Sequence, residues 1–127
     1  MEPLTGYLML AEKLYSQGVD FGEAWNFGPD DNDAKNVEWI MKTLCNLWGN
    51  DTTYILDTTE QPHEANYLKL DCSKAKIKLG WHPVWNIQKA LQSVVEWNKA
   101  YFNGENIKDI TEQQIDEYIQ TINDINQ

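Results

Sequence analysis

Apolar residues recur at Leu4, Leu8, Ala11 and Tyr15, the stripe of an amphipathic helix running to about Gln17. Pro3 suits the first turn of that helix, Glu2 lies near its positive dipole end, and Gly18 stops it. "EAWNFGP" is a short apolar run ended by Gly28-Pro29, which predicts a strand over residues 24–27. The polar turn "DDNDAKN" feeds a second helix whose apolar face is Val37, Ile40, Met41, Leu44, Leu47 and Trp48. Gly49 closes it, and the β-branched and aromatic residues from Thr52 to Leu56 predict a second strand.

Residues 57–66, "DTTEQPHEAN", have no periodicity and read as an exposed loop, while "YLKLD" alternates and predicts a third short strand. "DCSKAKIKLGWHPVWN" is more sharply punctuated. Asp71 or Ser73 caps a helix of about two turns, Gly80 supplies a left-handed residue after it, and Trp81 folds back onto its last turn. Pro83 forbids continuation and Asn86 caps the next helix, with Ile87, Ala90, Leu91, Val94 and Tyr101 expected inward. Thr111 with Gln114 forms a capping-box pattern ahead of a terminal helix striped by Ile115, Tyr118, Ile119, Ile122 and Ile125. The expectation is one domain over residues 1–127, with 105–127 carrying the terminal helix. It is α/β in class but mostly helical, with five helices and about three short strands. A complete doubly wound sheet is excluded by the few strands and the lack of a Gly-rich strand-to-helix turn.

Charge changes the picture next. Twenty acids against ten bases give a net charge of −10, which disfavours nucleic acid and anionic membranes as partners. All ten bases are Lys. Without Arg, the usual bidentate phosphate ligand, phosphates bound here would depend on backbone amides, Lys or a partner segment. No apolar run approaches the roughly twenty residues of a membrane helix. An acid stands where a secretion signal carries its cationic region, and Cys45 and Cys72 are solitary, so a reduced cytoplasm is expected.

Self-sufficient catalytic motifs are absent: GxGxxG, GxxxxGK[ST], GxSxG, HExxH and a Tyr followed four residues later by Lys. No catalytic, cofactor-binding or metal-binding residue is therefore expected in this chain. Glu23, Asp30, Asp31 and Asp33 lack the calcium-loop spacing and read as a solvated face, and His82 reads as a surface turn residue. "QPHEANY" gathers His63, Glu64, Asn66 and Tyr67 on one loop. His and Asn can donate to phosphate or sugar oxygens and Glu can accept from hydroxyls, so these four are the candidate substrate-binding residues. A polar loop that merely leads Tyr67 into the core is the competing reading.

The order "EPLTGYLMLAEKLY", "AWNFGP", "PHEANYLKLDCSKAKIKLGWHPVW" resembles the carboxy-terminal third of the CDP-glucose 4,6-dehydratases, extended short-chain dehydrogenases/reductases that act on nucleotide sugars. The resemblance runs from Glu2 to about Phe102. It implies a substrate-binding domain lacking the Rossmann sheet. In the full enzyme an amino-terminal Rossmann domain would hold NAD, carry the catalytic Tyr and Lys, and supply an Arg to the pyrophosphate. It implies that His63 and Glu64, with Asn66 and Tyr67 beside them, lie against the nucleotide diphosphate of CDP-glucose. Gln61 stands where relatives usually place an Arg. Glu2 is implied as a helix-capping acid, and Gly28 and Pro29 as backbone geometry near the site. Asp71 through Pro83 is implied as a clamp, with Trp81, Pro83 and Trp85 packing it on the 86–102 helix. The chain alone is expected to be inactive, and the parent a homo-oligomer. Uncovered apolar faces on the first helix would favour self-association. A fragment of another nucleotide-sugar epimerase or reductase, or a free-standing acidic interaction module, are the alternatives.

Overall fold

The computed structural model describes residues 1–57 and 69–125. Helices dominate it: α1 (Glu2–Gln17), α2 (Val37–Trp48), α3 (Ile87–Phe102) and α4 (Ile107–Ile125), with a wide π-turn at Ala75–Leu79. Short 3-10 turns follow α1 at Gly18–Phe21 and precede α2 at Asp31–Asp33.

The helix stops follow the local chemistry. Gly18, Gly49 and Gly80 end their elements at positive φ (66°, 78° and 68°), where a side chain would be strained. Asn36 Oδ1 accepts from Trp39 N–H at 2.8 Å, and Asn86 Oδ1 from Lys89 N–H at 2.9 Å. Asp71 Oδ1 accepts from Ser73 N–H at 2.9 Å, which opens the segment leading into the π-turn. The terminal helix starts earlier than its capping-box pattern suggests. Asn106 opens α4 by accepting from Lys108 N–H, and Thr111 lies inside it, donating to the Ile107 carbonyl at 2.7 Å.

The expected strands are the main correction, because no strand forms among the described residues. Residues 24–27 form no strand and are tied to the 71–74 segment by side chains. Lys74 Nζ donates to the Ala24 carbonyl at 2.6 Å, and Asn26 Nδ2 donates to the Asp71 carbonyl at 3.1 Å. These two carbonyls accept from side chains where a ladder would supply main-chain amides. Residues 52–56 form no strand among the described residues either, and Ile55 lies almost fully in solvent. Of the third expected strand, residues 69–71 form no strand and the rest falls outside the described residues.

The inward faces also differ from the periodic stripes. In α1 the stripe of Leu4, Leu8, Ala11 and Tyr15 faces solvent. The opposite side is packed because Gly6 has no side chain and the Phe27 ring lies directly on the helix backbone. A Cβ at Gly6 would come within 2.3 Å of that ring. Phe27 meets Trp81 edge to face at 5.1 Å and Tyr7 at 5.4 Å. With Cys72, Ala75 and Leu79, Phe27 and Trp81 form the buried core, flanked by Met9, Leu10, Phe21 and Trp25.

In α3, Val94 and Tyr101 are exposed, while Ser93, Val95 and Ala100 are buried because α2 and α4 pack on that side. Lys99 Nζ reaches the Leu47 carbonyl at 3.0 Å, and Gln114 Nε2 donates to the Ser93 carbonyl at 2.8 Å. Of the α4 stripe, Tyr118 is buried and Ile122 half-buried, whereas Ile115, Ile119 and Ile125 are exposed. Val37 of α2 is exposed as well.

Candidate functional site

Two sites organise the molecule, and both are built from the 71–85 segment. The first is a knot of hydrogen bonds on Glu2. Its carboxylate accepts from Val84 N–H at 2.9 Å, from Trp85 N–H at 2.7 Å and from the Tyr118 hydroxyl at 2.7 Å. Its main-chain carbonyl accepts from Trp81 Nε1 at 3.3 Å and from the Thr5 hydroxyl at 2.8 Å. Glu2 therefore ties α1 to the turn before α3 and to α4, instead of capping the amides of its own helix. Burial, the largest influence, and the neighbouring Glu2 carboxylate push the Tyr118 phenol up to about 12, against an opposing hydrogen bond from Thr5.

The aromatic residues of the turn follow this knot. Trp81, 1% exposed, packs on Phe27 and α1, and Trp85 packs edge to face on Tyr118 at 5.1 Å. The expectation that both pack on the 86–102 helix is corrected for Trp81, which Glu2 draws towards α1; Trp85 lies between α4 and α3, with Lys89 Nζ 5.1 Å from its ring centroid. An apolar cavity of about 270 Å³ lies alongside, between Met9, Val84, Tyr118 and Ile122, with exposed His82 on its rim. Its walls bring no cluster of reactive groups together.

The second site is a polar cleft of about 560 Å³ between the turn at 29–32 and residues 69–76. Lys69 Nζ binds Asp31 at 2.8 Å, and Lys76 Nζ is paired with Asp30. Lys74 and Lys78, one helical turn apart, share Glu23 at 3.0 and 2.8 Å. Glu23, Asp30 and Asp31 remain largely in solvent, as the sequence reading has them, and each carboxylate also binds a lysine of the 69–78 segment. The lysine hydrogen bonds hold the Glu23 and Asp31 carboxyls below their ordinary range, the Asp30 bond raises Lys76, and the hydrogen bonds to Ser73 lower Asp71. Gly28 lets the two walls approach, because a Cβ there would meet the Leu70 side chain at 3.3 Å and Cys72 Sγ at 3.5 Å.

The cleft thus presents two ammonium groups (Lys69, Lys76), three carboxylates (Asp30, Asp31, Asp71) and the Ser73 hydroxyl. Such a set suits a hydroxyl-rich ligand, with carboxylates accepting from sugar hydroxyls. It does not make a cationic phosphate cradle, because negative charges outnumber positive ones. Among the described residues, no three His, Cys, Asp or Glu side chains are placed to hold a metal ion. No described helix is long and apolar enough to cross a membrane.

His63, Glu64, Asn66 and Tyr67 lie outside the described residues, as does Gln61. Their segment rejoins the described chain at Lys69, on the wall of this cleft. The sequence reading did not assign the lysine clamp or the Glu2 knot. "KAKIK" carries a signal for the clamp in its alternating lysines, but their carboxylate partners lie 46 to 55 residues away in sequence.

No family model matches the chain. Over 119 residues, 94% of its length, it is 48% identical to the CDP-glucose 4,6-dehydratase of Salmonella typhimurium. The aligned region is the carboxy-terminal third of that protein, so the chain spans 33% of the relative's length.

Proposed function

The chain is homologous to the carboxy-terminal region of a CDP-glucose 4,6-dehydratase, and from that premise we propose that it forms one wall of a nucleotide-sugar site. The ligand in this reading is CDP-glucose. The polar cleft at Asp30, Asp31 and Lys76 receives hydroxyls of the ligand, and His63, Glu64, Asn66 and Tyr67 approach its diphosphate. The hydride chemistry and its NAD belong to the part of the relative that the chain does not match, together with the Arg phosphate ligands that this sequence lacks. The chain by itself is then inactive and binds weakly.

One observation carries the reading: the match, 48% identical, extends over 94% of the chain. Calorimetric titration with CDP-glucose tests it in two proteins. One is the 127-residue chain; the other is a chimaera joining the relative's amino-terminal portion ahead of Glu2. The chimaera should bind, and Lys76→Met should weaken it about tenfold, the loss of one charge-assisted contact. The chain alone should bind no tighter than roughly micromolar. A folded chimaera that ignores CDP-glucose, or an isolated chain that binds as tightly as the chimaera, would refute the proposal.

A further inference from the structure

A recess of about 270 Å³ lies where α3 meets α4, beside Met1 and Trp85. It shares no residue with the polar cleft or with the apolar cavity at Tyr118. None of its lining side chains is charged, in a chain where 24% of residues are. Trp85 and Trp97 supply aromatic wall, and their indole N–H groups already donate to Thr121 at 3.4 Å and Thr111 at 3.0 Å. Gln114 and Asn98 donate from their amide nitrogens to the Ser93 and Val94 carbonyls at 2.8 and 2.7 Å, leaving the carboxamide oxygens to accept.

Ser93 differs from the other helical hydroxyls around it. Those of Ser16, Thr43, Thr111 and Thr121 each donate to the carbonyl four residues back, at 2.8, 2.8, 2.7 and 2.8 Å. Ser93 lines the recess and is only 5% exposed, yet its hydroxyl is the one buried side-chain polar atom without a partner among the described residues. Burying an unpaired hydroxyl is unfavourable, so such a group marks a place where a bound molecule completes the bonding. We propose that the recess binds a small uncharged ring bearing hydroxyl groups. The ring lies against the two indoles, and its hydroxyls meet Ser93 and the carboxamide oxygens, which need donors. A charged ligand would find no counter-charge on these walls. One ring fits, since a cavity of about 150 Å³ already holds benzene. The ring is aromatic, as in a phenol, or saturated, as in a sugar, and both offer the same hydroxyl donors.

Nitrogen-15 NMR of the 127-residue chain reads the indole N–H groups of Trp85 and Trp97, assigned from Trp85→Phe and Trp97→Phe. Phenol, methyl glucoside and toluene are the probes. Phenol or methyl glucoside should shift both signals saturably in roughly the millimolar range, and the tighter of the two assigns the ring as aromatic or saturated. That probe should bind about tenfold more weakly to Ser93→Ala, the loss of one hydrogen bond. Toluene, which has no hydroxyl, should also bind more weakly than it does. The absence of a saturable shift with either hydroxylated probe would overturn the proposal. Equal affinity for Ser93→Ala and the parent would do the same, by showing that the Ser93 hydroxyl is satisfied within its own helix. Toluene binding as tightly as the better probe would reduce the recess to an apolar hollow and overturn it too. Ser93→Ala removes no hydrogen bond of the Ser93 side chain, so cooperative unfolding like the parent's is expected. Should that fail, the comparison with toluene in the parent decides.

Discussion

The Tyr118 hydroxyl donates to Glu2 Oε2 at 2.7 Å, joining the first residue of α1 to the middle of α4 across 116 positions of sequence. The same carboxylate binds two consecutive backbone amides, at Val84 and Trp85. One side chain thus holds three elements, and it does so with charge-assisted bonds, the stronger kind.

Replacing Glu2 by Gln keeps the shape and removes the charge. The Gln amide nitrogen would face donors where an acceptor is needed, so a loss of about 1–3 kcal/mol is expected. Urea unfolding followed by Trp fluorescence measures it. A loss below about 0.5 kcal/mol, the range of ordinary surface substitutions, would show that the knot contributes little.

Tyr118 makes alkaline stability a second test. Its phenol sits at about 12 in the folded chain against an ordinary value near 10. The folded state therefore keeps its proton where the unfolded state loses it, and this contribution to stability is fully present below about pH 10. It should fall as pH rises from about 10 to about 12. Spectrophotometric titration at tyrosinate wavelengths should show a late phase from the Tyr118 phenol. Tyr118→Phe should remove that phase and flatten the alkaline loss relative to the parent. Lys76, also raised, titrates in both proteins and cancels in the comparison.

Acid should open the lysine clamp. The carboxyls of Glu23, Asp31 and Asp71 are lowered by their hydrogen bonds. Their contribution is present above their ordinary range near pH 4 and is lost as pH falls through the lower folded values. Unfolding midpoints measured from pH 6 downward should decline, and Glu23→Gln should make that decline shallower. Because these groups are exposed, 1 M salt should weaken the same contribution at neutral pH. An acid decline unchanged in Glu23→Gln would contradict the pairing of Glu23 with Lys74 and Lys78.

Gly6→Ala sets two effects against each other. Ala is the better helix former by about 1 kcal/mol, but its Cβ would sit 2.3 Å from the Phe27 ring. Overpacking against an aromatic ring that is itself wedged on Trp81 should win, with a net loss of about 1–3 kcal/mol. Phe27→Leu in the Gly6→Ala background should cost less than in the parent, a coupling read by a double-mutant cycle. A more stable Gly6→Ala protein would mean that the ring has room to move.

Much of this chain could be read locally because its signals are local. Gly18, Gly49 and Gly80 end helices where their φ must be positive, and Asn36, Asn86 and Asp71 cap where their side chains reach amides two or three residues on. Such effects act within one turn and need no knowledge of the rest of the fold. The motif order, likewise a property of the linear chain, carried the resemblance that 48% identity to a dehydratase bears out.

Tertiary structure alone decided which side of α1 is inside, because both sides are apolar and the choice was made by Phe27 lying on Gly6. It also set the surroundings of residues 24–27, which form no strand and are tied to residues 71–74 by the Lys74 and Asn26 side chains. Glu2 could be placed at a helix start from sequence, but its three-way knot depends on partners more than eighty residues distant. Period and propensity describe neighbours along the chain, and they carry no information about which distant donor a carboxylate will meet.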